Sequence, residues 1–93
     1  MVVVVAEVDL YLLESGSLKD KRQVVNSIKE RLRSRFNISV AEVDYQDLWQ
    51  RCGLGMATVS NDGGYAHELM NKVIRFIEED YRVEVTGQSV ERW

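Results

Sequence analysis

The chain contains few of the residues that many site chemistries require, with one cysteine, one histidine and no proline among 93 residues. The single cysteine, Cys52, excludes an intrachain disulfide and fits a reducing compartment. With His67 as the sole histidine, a His/Cys metal site or Cys–His catalysis would depend on that one pair. No apolar run approaches the roughly 18 residues that a membrane span needs. We therefore expect no disulfide, no metal and no membrane span.

The chain also lacks any linker, low-complexity tract or repeat at solenoid spacing, and at 93 residues it is predicted to form one domain over 1–93. The opening letters MVVVVA are too short for the apolar region of a signal peptide and lack a basic lead-in. We expect a cytoplasmic protein. The net charge of −3 gives the chain as a whole no attraction for polyanions.

Changes in hydropathy period along the chain predict six elements. Every even position from Val2 to Leu12 is apolar, which is typical of a strand with one buried face. Ser17 and Asp20 are spaced as a capping box before a helix. The predicted elements are, in order, a strand over 2–13, a helix from Ser17 to near Asn37, a strand over 38–43, a strand over 51–60, a second helix after the turn at 61–64, and a last strand from Val83.

The order strand, helix, strand, strand, helix, strand predicts the α+β ferredoxin-like sandwich. Right-handed crossovers place both helices on one face of a four-stranded antiparallel sheet, with the first and third strands at its centre. A fold of this kind hosts many unrelated functions, so function has to be argued from particular side chains.

The stretch RCGLGMATVS, over 51–60, is similar to the strand with which one RNA-binding fold stacks bases. That strand carries aromatic side chains where this chain has Leu54 and Met56, and stacking needs those aromatics. Glu7 and Asp9 on the neighbouring strand would also repel phosphate. We therefore predict an ordinary central strand whose glycines permit close packing.

No combination of residues predicts an active site. Cys52 fits a packed, unreactive thiol, and His67 has no obvious carboxylate partner. The loop ESGSLKDK has a lone glycine followed by a helix cap, which does not form a phosphate cradle. The sequence therefore predicts a protein that is not an enzyme and uses no cofactor.

Cations are concentrated on the first helix. Between Ser17 and Phe36, seven cations and two acids give a net charge of +5, so the rest of the chain carries −8. One interpretation is a surface that contacts RNA or the ribosome. The other is that the long side chains cover the rim of the core with solvated heads. The candidate phosphate contacts are Lys19, Lys21, Arg22, Arg33 and Arg35.

The loop before the third strand and the open face of the sheet are two further candidate surfaces. In a hairpin loop, Trp49 would ordinarily cover the core; alternatively, Asp47, Trp49 and Arg51 would anchor a partner. The open face would carry Val3, Val5 and Tyr11, together with either Leu54 and Met56 or the glycine side of the third strand. Such an apolar face predicts a homodimer.

The motifs GSLKDKR and RLRSRFNISVAEVDYQDLWQRCGLGMATVSND resemble the YlxP-like family of small bacterial proteins, a domain of unknown function. The resemblance covers nearly the whole chain, although the family often has glutamate where this chain has Asp20. It implies a ferredoxin-like fold, and genes of the family commonly lie among those for translation initiation and ribosome maturation.

The leading hypothesis is therefore a non-enzymatic accessory protein that contacts ribosomal RNA or a ribosomal subunit through its basic first helix. The alternative is a homo-oligomeric interaction module that uses the open sheet face and binds no nucleic acid.

Overall fold

A computed structural model describes all residues, 1–93, and contains the six elements in the predicted order. The strands and helices are β1 (Val2–Leu12), α1 (Leu18–Arg35), β2 (Ser39–Asp44), β3 (Arg51–Ser60), α2 (Gly63–Glu78) and β4 (Val83–Arg92). The bounds predicted for the four strands and the first helix differ from the observed ones by at most two residues, and those of β3 are identical. No helix is both long and apolar enough to cross a membrane.

The four strands form one antiparallel sheet in the order β2-β3-β1-β4. The first and third strands are central, as predicted, and the ferredoxin-like α+β fold is confirmed. Strand β1 has ten paired positions with β3 and remains paired with β4 on its other side. It is therefore covered at both edges, which fits its long run of β-branched residues.

The side chains at even positions of β1 form the floor of the core, where Val4, Val8 and Leu10 are fully buried. Alternate residues of β3 join them, because Cys52, Leu54 and Met56 also face the helices. The glycine side of β3 therefore lies on the open face. The two strands expose a mixture of Val, Ala, Gly and acidic side chains there instead of Leu and Met.

Both helices begin at side-chain caps. The Ser17 hydroxyl accepts a hydrogen bond from the Asp20 amide at 3.0 Å, while the Asp20 carboxylate accepts one from the Gly16 amide at 3.2 Å. The Asp62 carboxylate caps α2 by accepting from the Tyr65 amide at 3.1 Å. The bonds from the Asp20 and Tyr65 amides satisfy donors that the first turn of a helix leaves unpaired.

The two glycines at the start of β3 allow the edge strand β2 to approach closely. The pairing of β2 with β3 shifts register between Glu42 and Asp44. A Cβ atom at Gly53 would lie 2.7 Å from the Asp44 Cβ, and one at Gly55 would lie 3.0 Å from a Val43 methyl. The expectation that these glycines permit close packing is therefore confirmed.

Candidate nucleic-acid interface

Lys21 is not on the surface, so its assignment as a phosphate contact is wrong. Its side chain is 1% exposed, and its ammonium donates a hydrogen bond to the Tyr45 carbonyl oxygen. Glu42 Oε2 lies 2.8 Å from the same nitrogen, in an ion pair without hydrogen-bond geometry. An ammonium group held in this way is not available to an external phosphate.

The spacing of the apolar residues accounts for this burial. Lys21 follows Leu18 by three residues and precedes Val25 by four and Ile28 by seven, so it projects from the buried stripe of α1. The same spacing is visible in the sequence. The spacing alone does not show that a lysine can be buried there, because its partners Glu42 and Tyr45 come from β2 and from the loop that follows β2.

The other four candidate cations of α1 are exposed: Lys19, Arg22, Arg33 and Arg35. They do not form one cluster, because 11 to 16 residues of helix, or about 16 to 24 Å, separate the first two from the last two. The Arg33 guanidinium donates to the Val40 carbonyl oxygen at 3.1 Å, which holds it against the edge strand β2.

The C-terminal end of α1 meets a second group of cations on α2. Arg35, Lys72 and Arg75 line a cavity of about 220 Å³ together with Phe36, Phe76 and Glu79, and we call this feature the helix notch. The two rings pack edge to face with centroids 5.7 Å apart, and the Arg35 guanidinium lies 5.1 Å above the Phe76 ring. Stacking on an aromatic ring restrains the planar guanidinium.

The charges of the helix notch have no internal partners. The two salt bridges of the protein join Lys21 to Glu42 and Arg82 to Asp80, so none of the three notch cations is paired. Glu79 is the one acid in the lining. Unpaired guanidinium and ammonium groups beside aromatic rings are the chemistry that binds a nucleic-acid backbone and its bases.

Sequence reasoning missed Lys72 and Arg75. They are three residues apart on α2, which is the spacing of one helix face, and this much was readable from the sequence. Nothing local indicated that they would meet Arg35, which lies 37 and 40 residues earlier in the chain.

The hairpin loop after β2 brings the three candidate partner-binding residues together. Asp47, Trp49 and Arg51 line a hollow of about 360 Å³. Trp49 is 54% exposed and is not among the hydrophobic residues packed against the core, so the interpretation that it covers the core is wrong. The Arg51 guanidinium lies 4.0 Å above the ring of Tyr45.

Tyr45 anchors this loop in an unusual backbone conformation. It has a φ of 60°, the left-handed region that non-glycine residues seldom adopt. Its amide donates to the Asp44 carboxylate at 2.8 Å, and its carbonyl oxygen accepts from both the buried Lys21 ammonium and the Leu48 amide. The first helix therefore holds the exposed loop in place through one buried cation.

Cys52 is buried beneath the same region. Burial, followed by the negative charge of Glu42, raises the pKa of its thiol to about 12, so it remains protonated at neutral pH. The expectation of an unreactive thiol agrees with this environment. His67 lies exposed on α2.

Comparison with known proteins identifies relatives of unknown function. A family model described as "Protein of unknown function (DUF503)" matches residues 3–90. The chain is also similar to "Uncharacterized protein YlxP" of Bacillus subtilis (strain 168), with 37% identity over 81 residues, which is 87% of this chain and 88% of that protein. The YlxP-like resemblance is confirmed, and neither description names an activity.

Proposed function

Since the chain belongs to the DUF503 family of proteins of unknown function, we propose from its own surfaces that it is a non-enzymatic accessory protein that associates with RNA through its helix layer. The observation that carries this proposal is the helix notch. Its three unpaired cations come from two helices and surround two aromatic rings.

Each part of the notch has a role in binding a flexible strand of RNA. Arg35 presents a planar guanidinium to a phosphate, and stacking on Phe76 limits the freedom it loses on binding. Lys72 and Arg75 neutralise the neighbouring phosphates. A single strand fits this notch better than a duplex does, because bases reach the rings only when they are unstacked.

We propose ribosomal RNA or a ribosomal subunit as the target. The support is the resemblance to YlxP-like proteins, whose genes commonly lie among those for translation. In this proposal Lys19 and Arg22 make weaker contacts at the far end of α1. The adjacent loop, with Asp47, Trp49 and Arg51, docks a protein partner of the same assembly.

The test compares two double variants that remove the same charge. R35Q/R75Q removes two notch cations, whereas R31Q/R92Q removes two exposed cations that lie outside the notch and have no role in this proposal. Binding of a labelled single-stranded RNA is followed by fluorescence anisotropy over a salt series. Each lost phosphate contact should reduce the slope of log affinity against log salt by about 0.7, so R35Q/R75Q should reduce it by about 1.4.

If the two double variants lost RNA affinity equally, the attraction would depend on overall charge, and the notch would not be the RNA-binding site. Recovery of the tagged protein from cells at low salt, with and without nuclease, tests the target. Ribosomal RNA or subunits that co-purify without nuclease, and are lost with R35Q/R75Q, are the expected result. If neither is recovered at low salt, the ribosomal target is wrong.

The alternative, a homo-oligomer that pairs through the open sheet face, has one observation in its favour. Val3 and Val59 are directly opposite each other at one end of that face, and Val59 is 60% exposed. Against it, pairing two copies face to face would bring the carboxylates of Glu7 and Asp9 towards those of the second copy. Light scattering at high protein concentration distinguishes a monomer from a homo-oligomer, and a monomer would rule out this alternative.

A further inference from the structure

The open face of the sheet contains a trough that the helix layer does not use. Its cavity is about 410 Å³ and crosses all four strands. The floor is formed by small side chains at Ser39, Ala41, Gly55, Ala57 and Ser89. A second hollow of about 240 Å³ adjoins it, since Glu7 and Ser89 line both cavities. An extended chain could therefore lie close to the sheet backbone.

The walls of this trough carry carboxylates without cations. Glu7 and Glu91 line the main cavity, and Asp9 lines the adjoining hollow. None of the three takes part in a salt bridge, and no lysine or arginine lines either cavity. The register places Glu7 opposite Ser89 and Glu91 opposite Val5. The two glutamates are therefore diagonal neighbours on adjacent strands, a relation in which the residue positions are about 7 to 8 Å apart.

An indole ring completes the wall. Trp93 lines the main cavity and is 79% exposed, and its amide donates to the Val3 carbonyl oxygen at 2.7 Å beside the trough. A cation seated between Glu7 and Glu91 would relieve their mutual repulsion and could also contact the face of the ring. Arginine suits both contacts, because its guanidinium pairs with carboxylates and stacks on aromatic rings.

We propose that this trough binds an extended, arginine-containing segment of a partner protein. Charge complementarity selects this occupant: the small floor accepts the peptide backbone, the carboxylates pair with its cations and Trp93 contacts one guanidinium. RNA is disfavoured by the same carboxylates. A second copy docked through its own acidic sheet face is disfavoured too, and one docked through its basic helix layer would form an open chain of subunits instead of a closed dimer.

The proposal is independent of the proposed RNA contact, because the helices and the trough lie on opposite faces of the sheet. The test therefore uses the whole protein without RNA. The probe is a fluorescein-labelled octapeptide of alternating arginine and alanine, and its affinity is measured by anisotropy. The variant E7Q/E91Q removes the two glutamate charges of the main cavity, and E68Q/E78Q removes two exposed charges on α2 as the matched control.

We expect E7Q/E91Q to weaken peptide binding about tenfold or more, and W93A to weaken it several-fold, while E68Q/E78Q stays within about twofold of the parent. Changes in the amide NMR chemical shifts of Ala41, Gly55 and Ala57 on addition of the peptide would place the peptide in the trough. Equal weakening by the two glutamate pairs would overturn the proposal. So would spermine binding as tightly as the peptide, since the site would then bind a small polycation.

Discussion

Replacing Lys21 by methionine should destabilise the protein far more than any comparable change on α1. Methionine keeps most of the aliphatic volume, so the change removes the charge without opening a large cavity. It leaves the Tyr45 carbonyl oxygen without its buried donor and Glu42 without its cation. Both losses follow from the position of Lys21 on the buried stripe of α1.

The size of the effect follows from how buried each partner is. Breaking a fully buried ion pair costs about 3 to 5 kcal/mol. Lys21 is 1% exposed but Glu42 is 20% exposed, so water can partly solvate the remaining carboxylate. We therefore expect K21M to lower the free energy of unfolding by about 2 to 4 kcal/mol. A domain of this size has about 5 to 14 kcal/mol in total.

Urea denaturation of four proteins measures this effect: the parent, K21M, E42Q and K21M/E42Q. The double variant should recover part of the loss, because it no longer has an unpaired carboxylate, with a coupling energy of about 1 to 3 kcal/mol. Lys29, a partly exposed cation on the same helix, provides the control K29M, which should change stability by less than about 0.5 kcal/mol. Equal effects of K21M and K29M would refute the buried ion pair.

Three further predictions concern single contacts. Cys52, whose thiol has a pKa of about 12, should resist a maleimide reagent at pH 8 in the folded protein and react fully in urea. Modification of the folded protein would contradict the burial of this thiol. G53A should destabilise by about 1 to 3 kcal/mol in urea titrations because its Cβ would lie 2.7 Å from the Asp44 Cβ, whereas G16A should be tolerated; equal effects would argue against this close approach. Hydrogen bonds from Arg82 lower the pKa of Asp80 below its ordinary value of 3.8. The ionised carboxylate therefore stabilises the folded protein fully above about pH 4, and this stabilisation is lost as the pH falls through the lower pKa of the folded state. D80N should therefore be about 1 kcal/mol less stable than the parent at pH 7 and converge with it in acid, and parallel pH profiles would exclude this linkage.

Local patterns in the sequence were sufficient to predict the fold. The alternation from Val2 to Leu12 fixed the buried face of β1, and the spacing of Ser17 and Asp20 located the start of α1. Each of these signals depends on neighbours within four residues. Hydropathy period and capping chemistry therefore determine them without knowledge of the tertiary contacts.

The surfaces depended on contacts between distant segments, which such patterns do not contain. Counting cations on α1 treated Lys21 as surface charge, since the ion pair needs Glu42 of β2. The helix notch likewise needs Arg35 and Arg75 to meet across two helices. The exposed side of β3 was ambiguous because either Leu54 or Gly55 could face the core until the pairing with β1 fixed the register.

The exposure of Trp49 leads to a last prediction, which separates a docking residue from a core residue. The variant W93F leaves Trp49 as the only tryptophan, because the chain has two. Since Trp49 is 54% exposed, acrylamide should quench its fluorescence readily in the folded protein, although less than in the same protein unfolded in urea. A core residue would be almost fully protected, and that result would refute the docking role. Because the buried Lys21 ammonium holds the loop through Tyr45, adding K21M to W93F should raise quenching in the folded protein towards the unfolded value. Quenching unchanged by K21M would show that the loop holds its position without that contact.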